Sequence, residues 1–147
     1  MAKIKTKVYK IEELKEYPNN PRSNNKAVNA VMESVKSFGY VNPIIVNKDG
    51  VILAGHTRLK ALKSLGAESV ECIVITHLTE DEEKAFRIAD NRAAEFSKWD
   101  SDLLVSEMKE IDANDWEKYG FKEKDLKKLL PPEMCKCPKC GRSFYKT

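Results

Sequence analysis

Five consecutive residues, Ala54-Gly55-His56-Thr57-Arg58, carry the most concentrated chemistry in this chain. A glycine between an apolar run and a helix start lets a ligand approach the backbone. The first amides of a helix, at the positive end of its dipole, attract anions. Arg58 adds a guanidinium that can hold a phosphate through paired charge-assisted hydrogen bonds, and His56 an imidazole that exchanges protons near neutral pH. Together Gly55, His56, Thr57 and Arg58 would cradle a phosphate of a nucleotide or of DNA. The competing reading leaves Gly55 as a turn, Thr57 as a cap and Arg58 paired with a surface carboxylate. Gly-x-x-Arg alone does not separate the two.

Two more phosphate-binding candidates lie elsewhere in the chain. Asn91 and Arg92, in Asp90-Asn91-Arg92, would add polar groups to the cradle; alternatively Asn91 caps a helix end and Arg92 sits in its last turn, where the dipole favours a cation. Arg22 follows Pro21, whose fixed φ can aim it at a ligand or simply anchor a loop.

Cys135, Cys137 and Cys140 form a different kind of site. Cys137-Pro138-Lys139-Cys140-Gly141 is the Cys-x-x-Cys-Gly knuckle that holds two thiolates on one zinc ion. A closed zinc site has four ligands and only three are local. The fourth would come from a second chain, giving a homodimer, or from water or a distant residue; otherwise the knuckle is a remnant. The surrounding basic residues, with Phe144 and Tyr145, would let this tail touch nucleic acid or leave it solvated and disordered.

The elements that position these groups follow from pattern. Lys3 to Tyr9 alternates around Ile4 and Val8 as a first strand. Tyr17 to Asn25, with two prolines, is a loop. Val28, Val31, Val35 and Phe38 share a helical face, from a start near Asn25 to a stop at Gly39. Pro43 to Val46 and Val51 to Ala54 flank Asp49-Gly50, an antiparallel hairpin whose second strand feeds the Gly55 turn. Leu59, Leu62 and Leu65 then mark a helix closed by Gly66, and Val70 to Ile75 a strand. Thr79-Glu80-Asp81-Glu82 is a capping box whose helix runs into Asn91-Arg92. Leu103, Leu104, Met108 and Ile111 mark one more helix, and a short one runs from about Lys124 to Leu130. Strands crowd the first half and helices the second. The expected fold is α+β, with a domain over 1–97, a helical extension over 98–131 and a knuckle-like or disordered tail over 132–147.

Composition narrows the function classes. No run approaches the roughly 20 apolar residues that span a bilayer, and the basic start lacks a secretory core, so no membrane partner and a cytoplasmic location are expected. The formal charge is +3, but Lys136, Lys139, Arg142 and Lys146 fall in a tail without acids; removing them leaves −1. A nearly neutral body cannot hold DNA by bulk charge, so phosphate contacts must be local.

Asn20-Pro21-Arg22, Ser34 to Val46, Asp49-Gly50, Ala54 to Ala61 and Ala89-Asp90-Asn91-Arg92 occur in an order that resembles the ParB N-terminal domain family, over roughly Val8 to Phe96. The resemblance implies a ParB/sulfiredoxin-like small mixed sheet with helices. It also implies a nucleotide or phosphate pocket built from Gly39 to Pro43, Gly55 to Arg58 and Asp90 to Arg92, with Asn20 to Arg22 beside it. Chromosome-segregation ParB proteins usually carry Gly-Glu-Arg-Arg where this chain has Gly55-His56-Thr57-Arg58, which argues against CTP hydrolysis. Sulfiredoxins place a reactive cysteine where His56 stands, which argues against their activity.

A Gly-His-x-Arg turn resembles ParB-like modules of phages and DNA methyltransferases, and some free-serine kinases. The expected function is a DNA-associated module binding a nucleotide, with magnesium, or a DNA phosphate, alongside a methyltransferase or phage replication machinery. A nucleotide-dependent enzyme (kinase, ATPase or weak nuclease) drawing on Glu12, Glu13, Asp49 or His56 is the alternative, and a protein–protein adaptor is a third. No catalytic residue is assigned, since no carboxylate cluster suits two metals.

Overall fold

The computed structural model describes residues 4–20, 27–111, 116–122 and 124–126, and the backbone of 134–136 and 143–145. The chain divides into two compact units, Met1–Lys98 and Trp99–Thr147.

The first unit is a four-stranded mixed sheet covered by helices. Strands β1 (Lys5–Lys10), β2 (Ile44–Asn47), β3 (Ile52–Ala54) and β4 (Ser69–Ile75) lie in the order β1-β4-β2-β3. β1 runs antiparallel to β4, β2 parallel to β4, and β2 and β3 form the antiparallel hairpin that Asp49-Gly50 implies. Because β2 and β4 are parallel, the chain must cross over between them. It does so through β3 and helix α2 (His56–Ser64), whose Leu59, Ala61 and Leu62 are buried. Helix α1 (Val28–Phe38) packs on α2. Tyr9, Ile44, Val46, Ile52, Leu59 and Cys72 form the heart of the core. Burial pushes the Cys72 thiol up to about 11, so this cysteine is an apolar filler rather than a nucleophile.

Two local expectations need correction. The inward residue of β1 is Tyr9, paired with Val70, whereas Ile4 and Val8 are 71% and 62% exposed. The apolar alternation was in the wrong phase because an amphipathic tyrosine, not a valine, fills the core there. Helix α3 (Glu80–Phe96) starts at the expected capping box, Thr79 accepting from the Glu82 amide, but does not end at Asn91-Arg92. The Asn91 side chain donates to the Arg87 carbonyl (2.8 Å) one turn back, a bond compatible with a helix interior, so the helix continues.

In the second unit, α4 (Ser101–Glu110) is capped by Asp100, whose carboxylate accepts from the amides of Asp102 and Leu103. Trp116 packs edge-on against Phe121, and residues 124–126 are helical; the rest of the helix expected to Leu130 lies outside the described residues. Strands β5 (Met134–Lys136) and β6 (Ser143–Tyr145) pair antiparallel.

Candidate phosphate site at the start of α2

Gly55 joins β3 to α2 at φ +102°, a left-handed conformation that favours glycine, and a β-carbon there would meet Arg58 Nη1 at 3.1 Å and Ile44 Cγ1 at 3.2 Å. The first helical bond runs from the Leu59 amide to the Gly55 carbonyl (3.0 Å), and Gly55 offers no side-chain cap. The amides of His56, Thr57 and Arg58 therefore precede the helical ladder at the positive end of its dipole. They border a cavity of about 290 Å³ lined by the Gly55–Arg58 turn together with Asn20, Asp90 and Asn91. That volume sits at the lower end of the roughly 300–1,000 Å³ usual for small-molecule sites, and the lining is mostly polar.

Arg58 is held rather than loose. Its Nη1 donates to the Pro43 carbonyl (2.9 Å), and burial lowers its pKa from the ordinary value while the Tyr40 phenol and Asp90 carboxylate oppose that shift. An arginine starts so high that it remains a cation, and Arg58 lines the cavity. The Gly39–Pro43 segment does not line the cavity as expected; it anchors Arg58, with the Tyr40 hydroxyl accepting from the Ile44 amide (2.6 Å).

His56 lines the cavity and also has a partner outside it. Its Nε2 accepts the Tyr17 amide (3.3 Å), which puts the ring proton of the neutral form on Nδ1. Burial lowers its pKa; Glu16 opposes this, while Arg87 and Lys60 reinforce it. Both the accepted bond and the lowered pKa favour the neutral ring, which as an acceptor pins a loop.

Arg92 is not brought to the cavity. Its exposed side chain pairs with Glu95 and lies 4.6 Å over the Phe96 ring, because one residue further along a helix turns about 100° away from Asn91. Arg22, Cys137 and Cys140 lie outside the described residues, and Cys135 falls in β5. Among the described residues, no group of three or more His, Cys, Asp or Glu could hold a metal ion. Glu12, Glu13 and Asp49 do not line the cavity, whereas Asp90 does.

Sequence reasoning missed Arg87, which is only 3% exposed. Its Nε donates to the Ile52 carbonyl (3.3 Å), its Nη2 pairs with Glu83 (3.4 Å), and its guanidinium lies 3.9 Å from the Tyr17 ring centroid. Glu83 also accepts from Asn47 Nδ2 (3.1 Å). The available signal was a Glu83–Arg87 pair four residues apart on one helical face.

A small mixed sheet whose hairpin feeds a glycine turn, ending in helix-start amides and a fixed arginine, defines an α+β module with a candidate anion site. The family described as ParB N-terminal domain matches residues 2–92, and the chain belongs to it. It is 35% identical over 83 residues to the ParB-like nuclease domain-containing protein YnaK of Escherichia coli, covering 56% of this chain and 95% of that protein. It is 33% identical over 73 residues to a probable chromosome-partitioning protein ParB of Campylobacter jejuni, covering 46% of this chain and 26% of that protein. Its fold matches the C-terminally truncated chromosome-partitioning protein ParB of Caulobacter crescentus, solved with CTP-gamma-S, at a TM-score of 0.60 and 20% identity over 85% of this chain and 70% of that one. The fold is the expected α+β one, a ParB-like small mixed sheet with helices. No helix among the described residues is long and apolar enough to cross a membrane.

Proposed function

We propose that this protein is a ParB-like module that binds the phosphates of a nucleotide at the Gly55–Arg58 turn and works in association with DNA. The observation that carries this reading is the polar cavity of about 290 Å³ at the start of α2, where free-ended helix amides and Arg58 converge beside a glycine whose β-carbon would crowd that arginine. The related Caulobacter ParB, solved with CTP-gamma-S, supports a nucleotide as the ligand, and the name of the Campylobacter relative supports DNA as a partner. Its finer form, with a methyltransferase or phage replication protein as partner, rests on the Gly-His-x-Arg turn alone.

Calorimetric titration with CTP, ATP, ADP and GTP in the presence of magnesium tests the site. Saturable binding that falls at least tenfold in Arg58→Ala is expected, since a charge-assisted hydrogen bond contributes about 1.5–3 kcal/mol. No binding by the wild type would sink the nucleotide reading and leave DNA phosphate as the ligand, tested by duplex DNA binding across a salt series.

Nucleotide turnover is the second reading, favoured by one observation: Asp90 brings a carboxylate to the cavity that Arg58 also lines. Phosphate release lost in Asp90→Asn, with nucleotide binding retained, would support it; no release above background would end it. Zinc at Cys135, Cys137 and Cys140 is a separate proposal, supported by the Cys-x-x-Cys-Gly spacing and by the β5 and β6 strands that flank it. Metal analysis of the full chain against Cys137→Ser decides it, and a zinc-dependent dimer would identify a second chain as the source of the missing ligand.

A further inference from the structure

Three groups outside the phosphate turn's own backbone meet at Tyr17. Its amide donates to His56 Nε2 (3.3 Å), its carbonyl accepts from the Asn20 amide (3.2 Å), and its ring faces the Arg87 guanidinium at 3.9 Å. Two residues earlier, Lys15 donates to the Gly50 carbonyl and accepts from the Ile52 amide, both at 2.9 Å. The segment from Lys15 to Asn20 is therefore tied to the β2–β3 hairpin at its start. It is tied to α2 and α3 in its middle, and it delivers Asn20 into the cavity wall at its end.

We propose that Arg87 and Tyr17 are positioning residues for phosphate binding. Arg87, which does not line the cavity, clamps the Tyr17 ring and so sets the separation between the Asn20 wall and the Gly55–Arg58 turn. This inference rests on the phosphate-site reading above and adds the residues that hold that site in shape.

An arginine suits the task because its planar head does two things at once. The edge donates to Ile52 and Glu83, while the face lies against the tyrosine ring. A wall held before the ligand arrives loses little freedom on binding, whereas an unclamped segment must be ordered at that moment, at a cost in affinity. Tyr17 is half-buried and outside the apolar core, so its substitution tests the clamp without dismantling the fold.

The experiment compares wild type, Tyr17→Phe and Tyr17→Leu in two measurements on the full chain. One is amide hydrogen exchange at position 17 without ligand; the other is affinity for CTP with magnesium. Tyr17→Leu is expected to speed that exchange about tenfold and weaken CTP binding about fivefold, while Tyr17→Phe, which keeps the ring on Arg87, restores both. Retention of either protection or affinity in Tyr17→Leu overturns the proposal, as does failure of Tyr17→Phe to restore them. Absence of CTP binding by the wild type overturns CTP as the ligand of the site and with it the positioning role argued for CTP binding. Exchange at position 17 in the same samples still reports whether the clamp exists, so the two failures are told apart.

Discussion

The two walls of the cavity are built on different principles. The Gly55–Arg58 wall is local: β3 ends, a glycine takes φ +102°, and the next residues start a helix. Its backbone conformation follows from neighbours in sequence, with the Arg58 side chain anchored on the Pro43 carbonyl. The Asn20 wall is not in any regular element, and the segment that delivers it is held at Tyr17 by distant groups, His56 in α2 and Arg87 in α3. A local wall tolerates damage elsewhere in the chain, whereas a wall held by long-range contacts fails when one remote side chain is lost.

The largest expected effect removes the remote support. Arg87→Ala leaves the Glu83 carboxylate, whose side chain is only 14% exposed, without its cation, and it also frees the Ile52 carbonyl. Breaking a buried pair on one side costs about 3 kcal/mol, read as a lowered urea midpoint at unchanged slope. A loss below about 1 kcal/mol would mean that the segment carrying the Asn20 wall does not depend on Arg87, and the contrast between the walls would disappear.

A smaller effect is expected from the local wall. Gly55→Ala places a β-carbon where φ is +102° and where Arg58 Nη1 lies 3.1 Å away, which should lower stability by about 1–2 kcal/mol. The new methyl should also displace Arg58 and weaken CTP binding, while amide exchange at position 17 stays near wild type. Disturbed exchange at position 17 would show the two walls to be coupled more tightly than their separate anchoring implies.

The same contrast explains which parts were legible in the sequence. The Asp49-Gly50 hairpin, the helix from Gly55 to Gly66 and the Thr79–Glu82 capping box depend on residues within a few positions of each other, and the structure contains all three. The core phase of β1 is opposite to the apolar alternation because Tyr9, opposite Val70 in β4, points into the core, whereas Val8, opposite Glu71, is exposed. Arg92 looked like a site residue because it adjoins Asn91 in sequence; helical rotation separates what adjacency suggests. The Arg87–Tyr17 contact joins a helix interior to a loop, and nothing in the spacing of either segment announces it. The sequence places His56 in the turn, but which amide meets its Nε2 depends on a loop 39 residues away.

That amide makes His56 the subtlest place to compare the walls, since one ring belongs to the local turn and supports the remote one. Burial lowers its pKa in the folded protein, so folding favours the neutral ring. The resulting stability is fully present above the unfolded imidazole value of about 6.5 and is lost as pH falls through that value toward the lower folded one. Glu16 limits the shift, while Arg87 and Lys60 deepen it. Urea unfolding at pH 7.5 and pH 5 should show a stability loss at the lower pH that is smaller in His56→Gln, whose side chain does not titrate. Equal losses in both proteins would remove His56 from the pH response. Ligand binding is the wrong readout here, because protonating His56 adds a charge that attracts phosphate while releasing the Tyr17 amide. The two changes oppose each other at the same cavity. Stability and amide exchange in the ligand-free protein isolate the second.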